Sequence, residues 1–203
     1  MNTPTPANTP SAADIARAAA PTSPPARFDA RRFKAMERAG FNRIAARYAE
    51  GAHLRAELAA ALLDAAALAP GQRVLDLASG PGLLARDAAL RIAPGGTVLA
   101  TDIAEGMLVE GARRCGEHAS TPCFAAADAE QLCLADVSVD RVLAGLALFA
   151  FPHPERALAE MHRVLVPGGL VALSVWGTRE TVPLIHRAQD CIARLLPAPK
   201  VVR

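Results

Sequence analysis

The sequence predicts an α/β fold built on one parallel sheet. Short apolar runs typical of buried strands alternate with longer stretches that have apolar residues at helical spacing. Glycine-rich turns separate several of these segments, as expected where a strand meets a helix. Right-handed connections between successive strands make the sheet parallel. The length of 203 residues favours one domain of this class.

Composition excludes two classes of protein. Although 52% of the residues are hydrophobic, there is no run of about 18 uncharged apolar residues, so a transmembrane helix is not predicted. The 22 Lys and Arg residues against 20 Asp and Glu residues give a net charge of +2. That balance argues against a dedicated nucleic-acid-binding protein.

The four cysteines are predicted to be free thiols, since no two of them form a C-x-x-C pair and no zinc pattern is completed. No metal site is therefore expected. Free thiols are typical of a reducing compartment, and the first nine residues lack the charged and apolar regions of a secretory signal. Both observations predict a cytoplasmic protein.

The N-terminal part divides into two segments. Residues 1–27 hold 6 of the 16 prolines and are predicted to be a disordered tail, with a transit peptide as the alternative. Residues 28–70 are predicted to be helical and carry many arginines. This segment is interpreted as a solvated amphipathic helix or helix pair, a lid over an active site, or a patch for an anionic ligand or membrane surface. Residues 71–203 form the predicted ligand-binding domain.

Five strands and four helices are predicted within this domain. The strands are expected at residues 73–77, 97–101, 122–127, 140–146 and 170–176. The helices are expected at residues 83–93, 104–117, 154–165 and 183–196. Ligands of such sheets bind at the carboxyl ends of the strands, so the residues that follow each strand are the candidates for a site.

The turn after the first strand fits two nucleotide-binding patterns. Gly80, Gly82 and Ala85 satisfy G-x-G-x-x-G/A, and Asp102 follows Gly82 by 20 residues, which is the dinucleotide fingerprint. Glycines in this turn let any ligand approach the backbone closely. The glycine pattern alone therefore leaves the cofactor open.

Three acidic residues favour a nucleoside that carries an ammonium group. Asp76 lies near the end of a strand built for burial, where a carboxylate suits an ammonium group better than a pyrophosphate. Asp102 can accept hydrogen bonds from both ribose hydroxyls. Asp128, after the third strand, can accept from an adenine amino group, or it can cap a helix.

Four segments resemble class I S-adenosylmethionine-dependent methyltransferases, and most closely the type 11 family similar to ubiquinone and menaquinone biosynthesis enzymes. Residues 74–82 (VLDLASGPG) resemble the family's motif I, and residues 126–132 its adenine-side segment. Residues 151–158 and 160–169 are similar to its later helix and turn. The resemblance covers about residues 40–185.

The resemblance implies a Rossmann-like sheet with strand order 3-2-1-4-5 and S-adenosylmethionine as the cofactor. Asp76 and the 78–82 loop would hold the methionine portion, Asp102 the ribose, and three further residues the adenine. The loop residues are Ala78, Ser79, Gly80 and Gly82, and the adenine residues are Ile103, Asp128 and Ala129. Ala78 departs from the family, which usually has glycine there, and its methyl group could crowd the methionine end.

The resemblance implies methyl transfer to a small acceptor, and the apolar residues 146–151 after the fourth strand indicate an apolar or aromatic one. No catalytic residue is assigned, and His153 is expected at the surface or in a helix cap. The alternatives are an NAD(P)-dependent oxidoreductase and a non-catalytic nucleoside-binding or partner-binding domain. The family's C-terminal hairpin of two further strands has no counterpart here. An open sheet edge and homo-oligomerisation through it are therefore expected.

Overall fold

A computed structural model describes residues 28–115 and 121–195, so the tail predicted over residues 1–27 lies outside the described residues. One five-stranded sheet has the order β3-β2-β1-β4-β5, and all four strand pairs are parallel, which confirms the predicted fold. The strands are β1 (Arg73–Leu77), β2 (Thr97–Asp102), β3 (Cys123–Ala126), β4 (Val139–Gly145) and β5 (Leu165–Ser174).

Helices cover both faces of this sheet, and two of them precede it in the chain. They are α1 (Ala30–Glu50), α2 (Ala56–Ala65), α3 (Leu83–Arg91), α4 (Glu105–Cys115), α5 (Pro154–Val164) and α6 (Pro183–Leu195), with 3₁₀ turns at Gly51–Arg55 and Leu148–Ala150. α1 begins where the side chain of Asp29 accepts a hydrogen bond from the Arg32 N–H, which satisfies one of the free donors of the first turn.

The central strand β1 separates two apolar cores. Val74 packs with α2 and α3 on one face, whereas Leu75 and Leu77 pack with α5 on the other. Because side chains alternate along a strand, Asp76 lies on the same face of the sheet as Val74. The carboxylate is therefore directed to the side where α3 begins.

β5 differs from the predicted strand at both ends. It starts at Leu165, not at residue 170, because Pro167–Gly169 are accommodated inside the strand by a shift of register opposite Val139 and Arg141. It ends at Ser174, so Trp176 lies beyond it and is half exposed. Within the described residues β5 pairs with β4 alone and forms one edge of the sheet.

None of the helices in the described ranges is long and apolar enough to cross a lipid bilayer. Residues 28–115 and 121–195 also hold no group of three or more side chains that could bind a metal ion. All four cysteines lie in these ranges and carry free thiols.

Candidate functional site

The loop after β1 contains three residues in the left-handed backbone region. Ala78, Gly80 and Gly82 have φ angles of +54°, +54° and +73°. The Ser79 N–H donates to the carbonyl of Thr101 at 2.9 Å, and the Gly82 N–H donates to the carbonyl of Ser79 at 3.0 Å. These bonds turn the chain sharply from the strand into α3 and leave the loop facing the carboxyl edge of the sheet.

Gly82 holds the turn and the packing behind the loop. It is the N-cap of α3, and a Cβ added there would lie 2.9 Å from Cε1 of Phe124. Such an approach is closer than packed carbon atoms tolerate, so this position needs glycine for space as well as for φ. Of the predicted site residues, Gly82 lines neither of the cavities described below.

Asp76 is a buried acid without a hydrogen-bond partner among the described residues. Its side chain is fully buried, and neither carboxylate oxygen makes a hydrogen bond within the described part of the chain. Burial raises the pKa of Asp76 to about 8; the Ala85 backbone N–H, which is near the carboxylate without forming a hydrogen bond to it, offsets a part of this rise, and the Asp102 carboxylate adds to it. An unsatisfied buried acid is unfavourable for the protein alone, and a cationic ligand would relieve it.

Asp102 is tied to the loop by its carboxylate. Its Oδ2 accepts from the Gly80 N–H at 2.9 Å, and its Oδ1 accepts from the Ala104 N–H at 2.8 Å. Burial raises the pKa of Asp102, while the N–H groups of Ala104, Gly80 and Ile103 act in the opposite direction. A carboxylate has about four acceptor positions, so two remain for a ligand.

Two adjoining cavities lie along the carboxyl edge of the sheet. The Asp76 cavity, a cleft of about 550 Å³ that includes space open to solvent, is lined by Asp76, the loop, α2 and Ser174 at the end of β5. The Asp102 cavity, a cleft of about 800 Å³ measured in the same way, is lined by Asp102, the segment after β3, and α1. Five residues line both: Tyr48, Ala78, Gly80, Gly145 and Leu146. The two spaces therefore meet at the loop and can hold one elongated ligand.

The predicted site residues gather around these cavities. Asp76, Ala78, Ser79 and Gly80 line the Asp76 cavity, and Asp102, Ile103, Asp128 and Ala129 line the Asp102 cavity together with Ala78 and Gly80. His153 is absent from both linings; it occupies the N-cap position of α5, where its backbone N–H donates to Oε1 of Glu130 at 2.8 Å.

Helix α1 contributes a wall that the sequence motifs did not identify. Lys34, Glu37, Phe41 and Tyr48 line the Asp102 cavity. Lys34 Nζ lies 2.7 Å from Asp128 Oδ2 and 2.8 Å from Glu130 Oε2. The sequence shows the basic and aromatic residues of α1, but no spacing pattern connects them with Asp128 and Glu130, the first of which lies 94 residues after Lys34.

Two further contacts fix α1 to the start of α4. Arg38 Nε donates to Glu105 Oε2 at 2.9 Å, and Asn42 Oδ1 accepts from the Gly106 N–H at 2.7 Å. The hydrogen bond from Arg38 contributes most to lowering the pKa of Glu105, to about 2. α1 is thus joined by polar contacts both to the segment after β3 and to the start of α4.

The arrangement suits a ligand with a nucleoside at one end and an amino acid at the other. The Asp102 cavity offers acceptors for hydroxyl and amino groups between apolar walls that include Ile103, Met107 and Phe151. The Asp76 cavity offers a partnerless carboxylate next to the turn. The groups that S-adenosylmethionine presents match these positions, so the residues present fit this cofactor.

Comparison with known sequences gives a consistent result. The methyltransferase domain family Methyltransf_11 matches residues 75–173. The ubiquinone/menaquinone biosynthesis C-methyltransferase UbiE of Bordetella avium is 41% identical over 134 residues, which are 64% of this chain and 52% of that protein. The demethylmenaquinone methyltransferase of Clavibacter sepedonicus is 37% identical over 139 residues, 68% and 54% of the two chains. The chain thus spans about half the length of the curated relatives it matches.

Solved structures share the fold. A chain in the complex between the Haloferax volcanii Trm112 methyltransferase activator and a methyltransferase is 25% identical, with a TM-score of 0.63 over 73% of this chain and 66% of that one. An S-adenosylmethionine-dependent methyltransferase from Mesorhizobium loti is 30% identical, with a TM-score of 0.51 over 57% and 51%. Sheet order, loop and sequence agree: residues 75–173 match the type 11 methyltransferase domain, and the sheet has the strand order of class I S-adenosylmethionine-dependent methyltransferases.

Proposed function

We propose that this chain transfers a methyl group from S-adenosylmethionine to a small apolar or aromatic acceptor. The observation that carries the proposal is the buried, partnerless Asp76 carboxylate at a cavity wall shared with the turn of the loop. The adjoining Asp102 cavity supplies acceptors for a nucleoside. S-adenosylmethionine, when bound, supplies an electrophilic methyl group on a sulfonium.

The residues of the chain bind and orient both reactants. Asp76 would pair with the ammonium group of the methionine portion, and the free acceptor positions of Asp102 would take the ribose hydroxyls. Ile103 and Ala129 would enclose the adenine, with Asp128 at its polar edge. Holding the two reactants in line and excluding water is the main contribution an enzyme makes to such a displacement.

The part of the Asp76 cavity that would hold the methyl acceptor is mostly apolar. Leu58, Leu62, Leu84 and Leu146 line it, and the Ser174 hydroxyl already accepts a hydrogen bond from the Leu146 N–H at 3.1 Å. The residues lining this cavity include no histidine and no acid other than Asp76. This favours an acceptor whose own phenol or enol activates the nucleophilic atom.

We propose a ring carbon of a hydroquinone as the acceptor atom. The support is the similarity to relatives named as a C-methyltransferase of ubiquinone and menaquinone biosynthesis and as a demethylmenaquinone methyltransferase. A hydroquinone combines the apolar ring that the leucine walls favour with phenolic oxygens that make the adjacent ring carbon electron-rich.

The two other readings of the sequence are less favoured. A dinucleotide would bring a pyrophosphate to the loop and no ammonium group, so the buried Asp76 acid would stay without a counter-charge. A binding domain without catalysis has no feature in its favour over a methyltransferase, given that the chain matches methyltransferases in sequence and in sheet order.

Calorimetry tests the cofactor. S-adenosylhomocysteine is expected to bind with a dissociation constant in the micromolar range, about −8 kcal/mol, and NAD is expected to give no heat. Binding of NAD without any response to S-adenosylhomocysteine would refute the assignment. With S-adenosylmethionine bound, a hydroquinone that lacks a ring methyl should then gain 14 mass units, and the same compound with that carbon blocked should not.

We propose further that the helical segment 28–70 is a lid over the Asp102 cavity, supported by the four α1 residues in its wall. The cytoplasm is the proposed location, supported by the free thiols. The position of β5 at the edge of the sheet in the described residues, with half-exposed Val175 and Trp176 just beyond it, supports a homo-oligomer. Size-exclusion chromatography tests that last point: a monomer at micromolar concentration would contradict it.

A further inference from the structure

Arg55 lines the same cavity as Asp76 and has no acidic partner in the part of the chain that the structure describes. It closes the 3₁₀ turn between α1 and α2, and its side chain is partly buried. No carboxylate of residues 28–115 or 121–195 lies within ion-pair distance of its guanidinium. A partly buried arginine without a counter-charge is unusual in a cavity wall, because arginines held away from water are normally paired.

The guanidinium of Arg55 is nevertheless held in a fixed place. Its carbon lies 4.1 Å from the centre of the Tyr48 ring, and its Nη2 donates to the Tyr48 carbonyl at 3.0 Å. Stacking on an aromatic face is a favourable arrangement for a guanidinium. One of five N–H donors is engaged by this hydrogen bond, and the others remain available to a ligand.

Tyr48 also links Arg55 to the loop. Its ring faces Gly80, where an added Cβ would lie 3.7 Å from Cε1 of Tyr48. Tyr48 lines both cavities, and Arg55 lines only the Asp76 cavity. The cation is therefore placed at the end of the site that the proposed function gives to the methionine portion, away from the nucleoside.

One cavity thus presents an acid and a guanidinium that both lack an ion-pair partner within the described part of the chain, and these two groups complement an α-amino acid. Asp76 suits the ammonium group, and Arg55 suits a carboxylate, for which its planar donors allow two parallel hydrogen bonds. An acceptor without charge would use neither group, and a leucine-lined space would suffice for it.

We propose that Arg55 binds the α-carboxylate of the cofactor's methionine portion, so that Asp76 and Arg55 together recognise its zwitterion. The inference rests on the proposed function. Arg55 is a binding residue here, and it selects cofactors that retain the carboxylate. Tyr48 positions it.

The test compares S-adenosylmethionine with its decarboxylated analogue, which keeps the sulfonium, the amine and the nucleoside. The wild-type chain should bind the analogue roughly 10- to 100-fold more weakly, the factor expected from a charged hydrogen-bonded contact. The affinity of Arg55→Ala for S-adenosylmethionine should fall by that same factor, whereas its affinity for the analogue should change less than about threefold. The variant should therefore bind the two compounds about equally. Arg47→Ala, an exposed arginine of α1, is the matched control and should retain the wild-type preference.

The outcomes separate this inference from the proposed function. A wild-type chain that binds neither compound overturns both. A wild-type chain that binds both equally overturns only the role of Arg55. Equal losses for the two compounds in Arg55→Ala would mean that the residue only supports Tyr48, and unchanged cofactor affinity with a raised KM for the acceptor would mean that Arg55 faces the acceptor instead.

Discussion

The ammonium group of Lys34 bridges Asp128 and Glu130, although Asp128 lies 94 residues further along the chain. Both Asp128 oxygens accept from Lys34, at 2.9 and 2.7 Å. The Glu130 side chain is 5% exposed and has this ammonium as its counter-charge. The ion pair joins α1 to the adenine side of the site. Asp128 therefore both anchors the proposed lid and forms the proposed adenine contact.

Replacing Lys34 should therefore loosen α1. Lys34→Met keeps the length of the side chain but leaves Glu130 buried without a cation, and the expected loss is roughly 1–3 kcal/mol of folding free energy. Urea denaturation measures the loss, and hydrogen exchange should show faster exchange in α1. Arg43→Met, an exposed change on the same helix, should alter stability by less than about 0.5 kcal/mol. Equal stability of the two variants would contradict a structural role for the bridge.

Asp102 should affect both folding and binding. Asp102→Ala removes the acceptor for the Gly80 and Ala104 N–H groups, which costs about 1–3 kcal/mol of stability. It also removes the acceptor for the ribose, so cofactor affinity should fall by about 2–4 kcal/mol. Asp87→Ala, at a partly exposed acid of α3, is the control for both measurements. An Asp102→Ala chain with unchanged affinity would show that the carboxylate serves only the backbone.

Asp76 should make stability fall as pH rises. Its pKa is raised from the ordinary 3.8 to about 8, so the folded chain keeps a proton that the unfolded chain has released between these values. Each pH unit in this window then removes up to about 1.4 kcal/mol. Asp76→Asn should remove this contribution, and the difference in melting temperature between variant and wild type should widen from pH 5 to pH 8. A difference that does not change with pH would contradict the buried protonated acid.

Cofactor binding should release the proton of Asp76. Pairing with an ammonium group favours the ionised carboxylate, so the pKa of Asp76 falls when the ligand binds. Calorimetry at pH 7 in two buffers of different ionisation enthalpy should report close to one proton released for each S-adenosylhomocysteine bound. Asp76→Asn should bind weakly and release none. Proton-neutral binding by the wild-type chain would place the ammonium group elsewhere.

Replacing Ala78 by glycine, the residue that the family usually has there, should raise both the stability of the fold and the affinity for the cofactor. Its φ of +54° strains an L-residue, and its methyl group lies in the wall that both cavities share. Ala78→Gly should stabilise the fold by about 0.5–1 kcal/mol, after the larger entropy of the unfolded chain is subtracted. It should also tighten cofactor binding. Ala67 has a φ of +47° and lies outside both cavities, so Ala67→Gly should stabilise the fold and leave the affinity for the cofactor unchanged. Weaker binding by Ala78→Gly would mean that the methyl group makes a useful contact.

The sheet was predictable because its signals are local. Buried parallel strands appear as continuous apolar runs, and turns appear as glycine and proline, so the five strands and the loop after β1 lie where the sequence placed them, within a few residues. The start of β5 was the largest difference, because a Pro-Gly-Gly segment that reads as a turn is carried inside the strand opposite a register shift in β4. That arrangement depends on the neighbouring strand.

The sequence by itself determined the α/β class, the strand order through a family resemblance, and the acids at the ends of β1 and β2. Only the tertiary structure decided that Asp76 is buried without a partner among the described residues, that Asp102 holds the loop, and that Lys34, Tyr48 and Arg55 complete the walls. The physical reason is the range of the interactions. Strand burial and turn geometry depend on neighbours in the chain, whereas desolvation, ion pairs and cavity walls depend on groups that folding brings together from far apart.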